Sequence, residues 1–69
     1  MEEMSTRLLS LRKERNLKQT EVAEALGLSI SSYCRYEYGQ REPTVSVLIR
    51  MADFYGVSID YLVGRNDVR

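Results

Sequence analysis

Five neighbouring residues in the middle of the chain have side chains that could bind another molecule: Ser29, Ile30, Ser31, Cys34 and Arg35. The planar guanidinium of Arg35 can donate two parallel hydrogen bonds, the pattern that guanine O6 and N7 accept. Ile30 could contact a thymine methyl group, and serine side chains are short enough to permit close approach. On one exposed face of a helix a set of this kind has the size and polarity to lie in the major groove of DNA.

The helix that would present these residues is predicted at about residues 30–38. Ser29 is a suitable N-cap for it, and Gly39 suits the left-handed conformation that ends many helices. Tyr33 and Tyr36 are three residues apart and therefore share one side of this helix. We expect this aromatic side to face the interior, which leaves the opposite, polar side exposed to solvent.

Caps and apolar spacing predict four further helices, and no segment has the alternating pattern of a strand. The first helix should begin at Ser5 or Thr6 and end near Arg15, with Asn16 as a left-handed stop. The second should end at Gly27, which tolerates the positive φ of a sharp turn between helices. The four helices are expected at about residues 5–15, 19–26, 45–55 and 59–64.

The helix at about 45–55 has the clearest amphipathic pattern. Its core-facing stripe follows the i, i+3, i+4, i+7 spacing and is widened by two more apolar residues: Val45, Leu48, Ile49 and Ala52, with Met51 and Tyr55. The sequence therefore predicts an all-α fold of five short helices, in one domain over residues 1–69 with a core at about 6–64.

The composition argues against several classes of site. The 69 residues include one cysteine and no histidine, so neither a disulfide framework nor a Cys/His zinc site can form. Without histidine or a metal-ligand set no base can activate a serine, so we predict a protein that is not an enzyme and uses no metal, cofactor or evident small-molecule ligand. The first residues, MEEMSTRLL, do not resemble a signal peptide, and no apolar stretch approaches the ~20 residues that span a bilayer. We therefore expect a cytoplasmic domain without a membrane partner.

The charges of the chain are balanced in number but unevenly distributed. The 10 basic and 10 acidic residues cancel, whereas nucleic-acid-binding domains are usually basic. Between residues 7 and 18, however, five bases accompany the single acid Glu14: Arg7, Arg12, Lys13, Arg15 and Lys18. Arg35 and Arg41 add two more bases, and a protein with its charges so distributed could bring one basic face to a phosphate backbone.

Three segments together resemble the Cro/repressor-type (Xre-like) helix-turn-helix family of bacterial and phage regulators. They are LLSLRKERNLKQTEVAEALGLS, the pattern YxxYExGxxxP from Tyr33 to Pro43, and LIRMADFYGVSIDYLVG. The resemblance covers about Thr6 to Gly64 and includes the spacing between segments, so it is more specific than a lone helix-turn-helix match. It implies a compact five-helix lambda-repressor-like domain whose helix at 30–38 meets base edges in double-stranded DNA. The base contacts that it implies are Ser29, Ile30, Ser31, Cys34 and Arg35.

The same resemblance implies roles for residues elsewhere in the chain. Arg12 and Glu37 are expected to form a structural ion pair between the first and third helices. Gln19 matches the glutamine that opens the second helix of the family. Lys18 departs from the usual Ser or Thr N-cap, and Tyr33 occupies a usually aliphatic position, so its hydroxyl needs a partner. The expected phosphate contacts are Gln19, Lys18, Ser32, Tyr38, Gln40 and Arg41.

These features predict a sequence-specific, repressor-like transcriptional regulator that binds double-stranded DNA as a homodimer. Two copies would place their recognition helices in successive major grooves, about 34 Å apart. We expect the last helix to form the dimer contact through Ile59, Tyr61 and Val63, which cannot all face inward together with Leu62. The alternative is a protein-interaction module of the same fold, an antitoxin or adaptor with weak or no DNA binding, which the zero net charge and the apolar Ile30 favour.

Two of the candidate base contacts also have simpler interpretations. Arg35 could be a solvated surface arginine paired with Glu37 or Glu42. Cys34 could be a redox-sensitive thiol, but reactivity requires a lowered pKa, and a small residue where relatives have serine is the favoured interpretation.

Overall fold

The computed structural model describes residues 2–69 and contains five α-helices joined by short connections. They are α1 (Glu2–Glu14), α2 (Gln19–Ala25), α3 (Ile30–Glu37), α4 (Val45–Tyr55) and α5 (Ile59–Leu62). No strand occurs in this part of the chain, which confirms the predicted all-α fold of five helices. Within residues 2–69, no helix has the length and apolar character needed to cross a membrane.

The first helix begins at Glu2, so the predicted start at Ser5 or Thr6 is wrong. Both hydroxyls lie inside the helix and donate hydrogen bonds to the Glu2 carbonyl, at 2.8 and 3.1 Å. Met4 explains the longer helix, because its side chain is fully buried and its burial favours an ordered first turn. Glu2 and Glu3 add a favourable interaction with the positive end of the helix dipole.

Local caps define both ends of α3, as the sequence predicts. The Ser29 hydroxyl accepts a hydrogen bond from the Ser32 backbone N–H at 3.1 Å. Gly27 and Gly39, on either side of the helix, have φ angles of 70° and 74°. A side chain disfavours this left-handed conformation, so the two glycines permit the sharp turns that isolate α3 from its neighbours.

All five helices contribute to one core. The aromatic side of α3 is part of it, since Tyr33 is 0% and Tyr36 4% exposed, which confirms that both tyrosines face inward. The outer side of α3 is therefore held in place by packing from behind. The buried apolar residues are Met4, Leu8, Leu11, Val22, Ala23, Leu26, Tyr33, Tyr36, Val47, Leu48, Met51, Ala52, Tyr55 and Leu62.

The buried face of α4 differs from the stripe predicted for it. Val45 and Ile49 are 71% and 44% exposed, so the prediction that they face the core is wrong. Both the predicted and the observed stripes satisfy helical spacing, and the positions of the other helices determine which one is buried. The buried residues of α4 are Val47, Leu48, Met51, Ala52 and Tyr55.

The chain after α5 folds back along α1 and α5 through charged contacts. Arg7 donates to the carbonyl of Tyr61 at 2.7 Å and pairs with Asp67 at 2.6 Å. Arg69 pairs with Glu14 through two hydrogen bonds of 2.9 and 2.5 Å. The ring of Tyr61 consequently has a guanidinium carbon of Arg7 at 4.4 Å and one of Arg69 at 5.3 Å from its centroid.

This arrangement leaves part of α5 on the surface expected to form a dimer. Leu62 is buried, whereas Tyr61 and Val63 are half-buried, so the residues of α5 do not all face inward, in agreement with the prediction. Ile59 is 38% exposed and is the most exposed of the three residues predicted to meet a partner.

Candidate nucleic-acid interface

The outer side of α3 presents the predicted base-contact residues together. Ile30 is 42% exposed, and Cys34 is half-buried at the edge of the same surface. No hydrogen bond among residues 2–69 joins the segment 64–69 to α3, so the end of the described chain does not bind across this face. The surface, called the α3 face below, consists of Ser29, Ile30, Ser31, Cys34 and Arg35.

Arg35 is exposed on the α3 face, and its guanidinium has no hydrogen-bond or ion-pair partner within residues 2–69. Among the residues the structure describes, no ion pair joins it to Glu37 or Glu42. Glu37 is instead bound to Arg12. The N–H groups of the Arg35 guanidinium are therefore available to an external acceptor.

The serines of α3 differ in how much of their hydrogen-bonding capacity is already used. The Ser29 hydroxyl accepts from the Ser32 N–H at 3.1 Å and donates to the Ser32 Oγ at 3.0 Å. Ser29 is therefore first a helix cap, whereas Ser32 keeps its own hydroxyl proton. The Ser31 side chain makes no hydrogen bond within residues 2–69 and is exposed.

A buried ion pair supports α3 from behind. The Nη2 of Arg12 lies 2.8 Å from Glu37 Oε1, and its Nε lies 2.9 Å from Oε2. The Glu37 side chain is 1% exposed and that of Arg12 15%. Arg12 also donates to the carbonyl of Leu17 at 2.8 Å, in the turn between α1 and α2. The predicted pairing is confirmed, and it joins α1, the turn after it and α3.

Two buried tyrosine hydroxyls lie beside this ion pair. The hydroxyls of Tyr33 and Tyr55 make no hydrogen bond of standard geometry within the described residues, and burial raises the pKa of both. Burial would also raise the pKa of the Glu37 carboxyl. Hydrogen bonds from Arg12 and the Gln19 amide, together with the proximity of the Tyr33 hydroxyl, outweigh this effect and hold that pKa below its usual value.

The lowered pKa of Glu37 predicts a specific loss of stability in acid. Ionised Glu37 stabilises the fold above its unfolded pKa, near 4.5, and the contribution disappears as pH falls through the lower folded pKa. We expect the urea midpoint of Glu37→Gln to decrease less than that of the parent protein between about pH 6 and pH 3. Glu24→Gln, at an exposed position, is the control and should keep the parental dependence. Equal pH dependence in Glu37→Gln and the parent would contradict the prediction.

The predicted phosphate contacts lie at the start of α2 and in the turn after α3. Gln19 connects these two places, because its Nε2 lies 3.1 Å from Glu37 Oε1 and 3.3 Å from the Tyr38 hydroxyl. Arg41 is exposed, with its guanidinium carbon 6.0 Å from the centroid of the Tyr36 ring. The remaining members are the exposed Lys18 and Gln40, with Ser32 half-buried.

The three arginines of the basic segment at residues 7–18 are engaged in contacts within the molecule. Arg7 binds the end of the chain, and Arg12 binds Glu37. Arg15 donates to the carbonyl of Tyr55 at 2.6 Å, at the C-terminal end of α4. These three guanidinium groups are used within the molecule, because carbonyls and carboxylates of packed neighbours lie within their reach. The exposed bases near the α3 face are instead Lys18, Arg35 and Arg41.

One residue that supports the turn before α3 was not predicted from the sequence. Arg50, in α4, donates to the carbonyl of Leu26 at 2.7 Å and thereby caps the C-terminal end of α2. It also lies at the turn into α3, since a Cβ on Gly27 would be 3.4 Å from its Nη1. No local pattern marks this contact, because its two partners are distant along the chain.

Comparison with known proteins agrees with this geometry. The helix-turn-helix family model matches residues 8–62. The CTXphi transcriptional repressor RstR of Vibrio cholerae is 42% identical over 59 residues, which cover 86% of this chain and 53% of RstR. The regulator AnsR of Bacillus subtilis is 39% identical over 59 residues, covering 86% of this chain and 51% of AnsR. The chain thus spans about half the length of the curated relatives it matches.

Solved structures show the same fold. A transcriptional regulator from Listeria innocua superposes with a TM-score of 0.83 at 36% identity, covering 88% of this chain and 57% of that one. The P22 c2 repressor, solved in complex with a synthetic operator, superposes with a TM-score of 0.81 at 25% identity, covering 86% and 89%. The matched residues and the five-helix fold place this chain in the Cro/repressor-type (Xre-like) helix-turn-helix family.

Proposed function

We propose that the chain is a sequence-specific, repressor-like transcriptional regulator that places α3 in the major groove of DNA. The observation that carries this proposal is the α3 face: it is solvent-exposed, and its Arg35 has no partner within residues 2–69. The buried pair of Arg12 and Glu37 supports it from behind. A rigid helix with a free bidentate donor is suited to base edges.

The proposed contacts divide into two groups. Ile30, Ser31, Cys34 and Arg35 meet base edges, while Ser29 approaches them as it caps the helix. The second group surrounds the α3 face and holds the phosphate backbone: Gln19, Lys18, Ser32, Tyr38, Gln40 and Arg41. Phosphate contacts of this kind position a protein on DNA, and base contacts select the sequence.

Similar proteins support the same function. RstR is called a transcriptional repressor, and the P22 c2 repressor was solved with operator DNA. We propose that this chain likewise acts on double-stranded DNA in the cytoplasm, as a homodimer on a site with two half-sites about 34 Å apart. Ile59, exposed on α5, belongs to the proposed dimer contact.

Selection of bound sequences from a random DNA pool, followed by salt titration, tests the proposal. We expect selection to return one motif with two similar halves. If Lys18 and Arg41 of each protomer neutralise phosphates, affinity for this motif should fall about 100-fold between 50 and 200 mM salt.

Recovery of no motif, or affinity that is weak and insensitive to salt, would contradict the proposal. That outcome would favour the alternative, a protein-interaction module of the same fold. A scrambled duplex of equal length is the control, because it retains the phosphate contacts and lacks the base contacts.

A further inference from the structure

The side-chain amide of Gln19 is fully engaged as a donor within the molecule. Its Nε2 lies 3.1 Å from Glu37 Oε1 and 3.3 Å from the Tyr38 hydroxyl oxygen. An amide nitrogen has two protons, and these two acceptors use both. The amide oxygen that remains is an acceptor and cannot hydrogen-bond a phosphate, whose oxygens are also acceptors.

The Tyr38 hydroxyl, by contrast, has a donor left. It accepts from Gln19, so its own proton can be given to an external acceptor. Tyr38 is 62% exposed and directly follows α3, beside the α3 face. A phosphate oxygen approaching from solvent can reach this proton without disturbing the buried pair.

We propose that Gln19 is a positioning residue that acts through Tyr38, whose hydroxyl donates to a DNA phosphate. This inference rests on the proposed function and replaces a direct phosphate contact of Gln19 by an indirect one. Gln19 is itself held by the Glu37 carboxylate, which Arg12 fixes. The buried ion pair is thus connected to the surface hydroxyl by continuous hydrogen bonds.

The advantage of this arrangement is a hydroxyl that is already oriented before DNA binds. An exposed tyrosine without the Gln19 contact would sample several positions, and binding would have to restrict them. The hydroxyl is also uncharged, so its contact releases no counterion from DNA. The dependence of affinity on salt should therefore be independent of both residues.

A double-mutant cycle measured by DNA affinity tests the inference. Tyr38→Phe should weaken binding to every sequence about 100-fold, because each protomer of the homodimer loses one hydrogen bond to a charged group. Gln19→Met keeps the length of the side chain but no longer holds the Tyr38 hydroxyl in position. In the otherwise unchanged protein it should weaken DNA binding about fivefold. In the Tyr38→Phe background, Gln19→Met should cause no further loss, since the group it orients is absent. The slope of log affinity against log salt should equal that of the parent in all three variants.

The outcomes separate this inference from the proposed function. If the parent protein shows no salt-dependent binding to a selected motif, the proposed function fails. If the parent binds but the losses from Gln19→Met and Tyr38→Phe add, Gln19 contacts DNA independently and the inference is wrong. A lower salt slope in Tyr38→Phe would also contradict it.

Two controls accompany the cycle: one checks the binding assay, and the other checks that each variant is folded. Arg41→Ala should lower the salt slope by about 1.8, one phosphate contact from each protomer of the homodimer, which confirms that the assay resolves such contacts. Thermal unfolding of each variant shows whether it is folded at the assay temperature. If Gln19→Met is not, Gln19→Ala takes its place in the cycle, because alanine favours the helical conformation of α2.

Discussion

Replacing Arg12 by methionine is expected to lower the free energy of unfolding by about 3–5 kcal/mol. The Glu37 carboxylate is 1% exposed and would lose its cationic partner while remaining out of reach of bulk water. Within residues 2–69 only the Gln19 amide would still donate a hydrogen bond to it. A domain of this size has a total stability of roughly 3–10 kcal/mol, so the variant should be close to unfolded at room temperature. Urea denaturation followed by circular dichroism measures the change.

Two further variants show whether burial is the cause. Arg12→Met combined with Glu37→Leu should recover most of the lost stability, because no uncompensated charge remains. Arg69→Met is the matched control, since Arg69 and Glu14 pair in a similar geometry but are each about half exposed, at 47% and 48%. Water screens the charge that this control leaves behind, so it should lose far less stability. Equal losses in Arg12→Met and Arg69→Met would show that burial of Glu37 is not decisive.

Replacing Arg35 by alanine is expected to relax base preference at one position of each half-site. The preferred base at that position should lose about 1–3 kcal/mol of discrimination, whereas preference at the other positions should persist. The reason is geometric, because a guanidinium donates two parallel hydrogen bonds and alanine none. Arg35→Lys should also lose most of this discrimination, since an ammonium lacks the planar fork. Affinities for all four bases at each position of the selected motif provide the measurement.

Arg41→Ala is the matched variant for this prediction. Arg41 is an exposed arginine in the loop after α3, outside the α3 face. Its loss from both protomers should weaken binding to all sequences by a similar factor and reduce the salt slope by about 1.8. If the two variants change base preference in the same way, the division between base and phosphate contacts is wrong.

The sequence by itself determined the helices and the two sides of α3. Ser29, Gly27 and Gly39 act on the backbone within a few residues of themselves, so caps and turns can be predicted from local pattern. Tyr33 and Tyr36 are three residues apart, which is enough to predict the inward side of the helix. The ion pair of Arg12 with Glu37 required more than spacing, and the family resemblance supplied it.

The tertiary structure alone decided which groups remain free to bind. Arg7 and Arg15 are as basic as Arg35 in the sequence, but they reach carbonyls or carboxylates brought close by packing, whereas Arg35 reaches none in residues 2–69. A long, flexible side chain has many rotamers, and its partner is set only when elements far apart in the chain come together. For the same reason the buried side of α4 and the two acceptors of the Gln19 amide could not be predicted from spacing. The local pattern thus defines the α3 face, and long-range packing determines which polar groups around it are available to DNA.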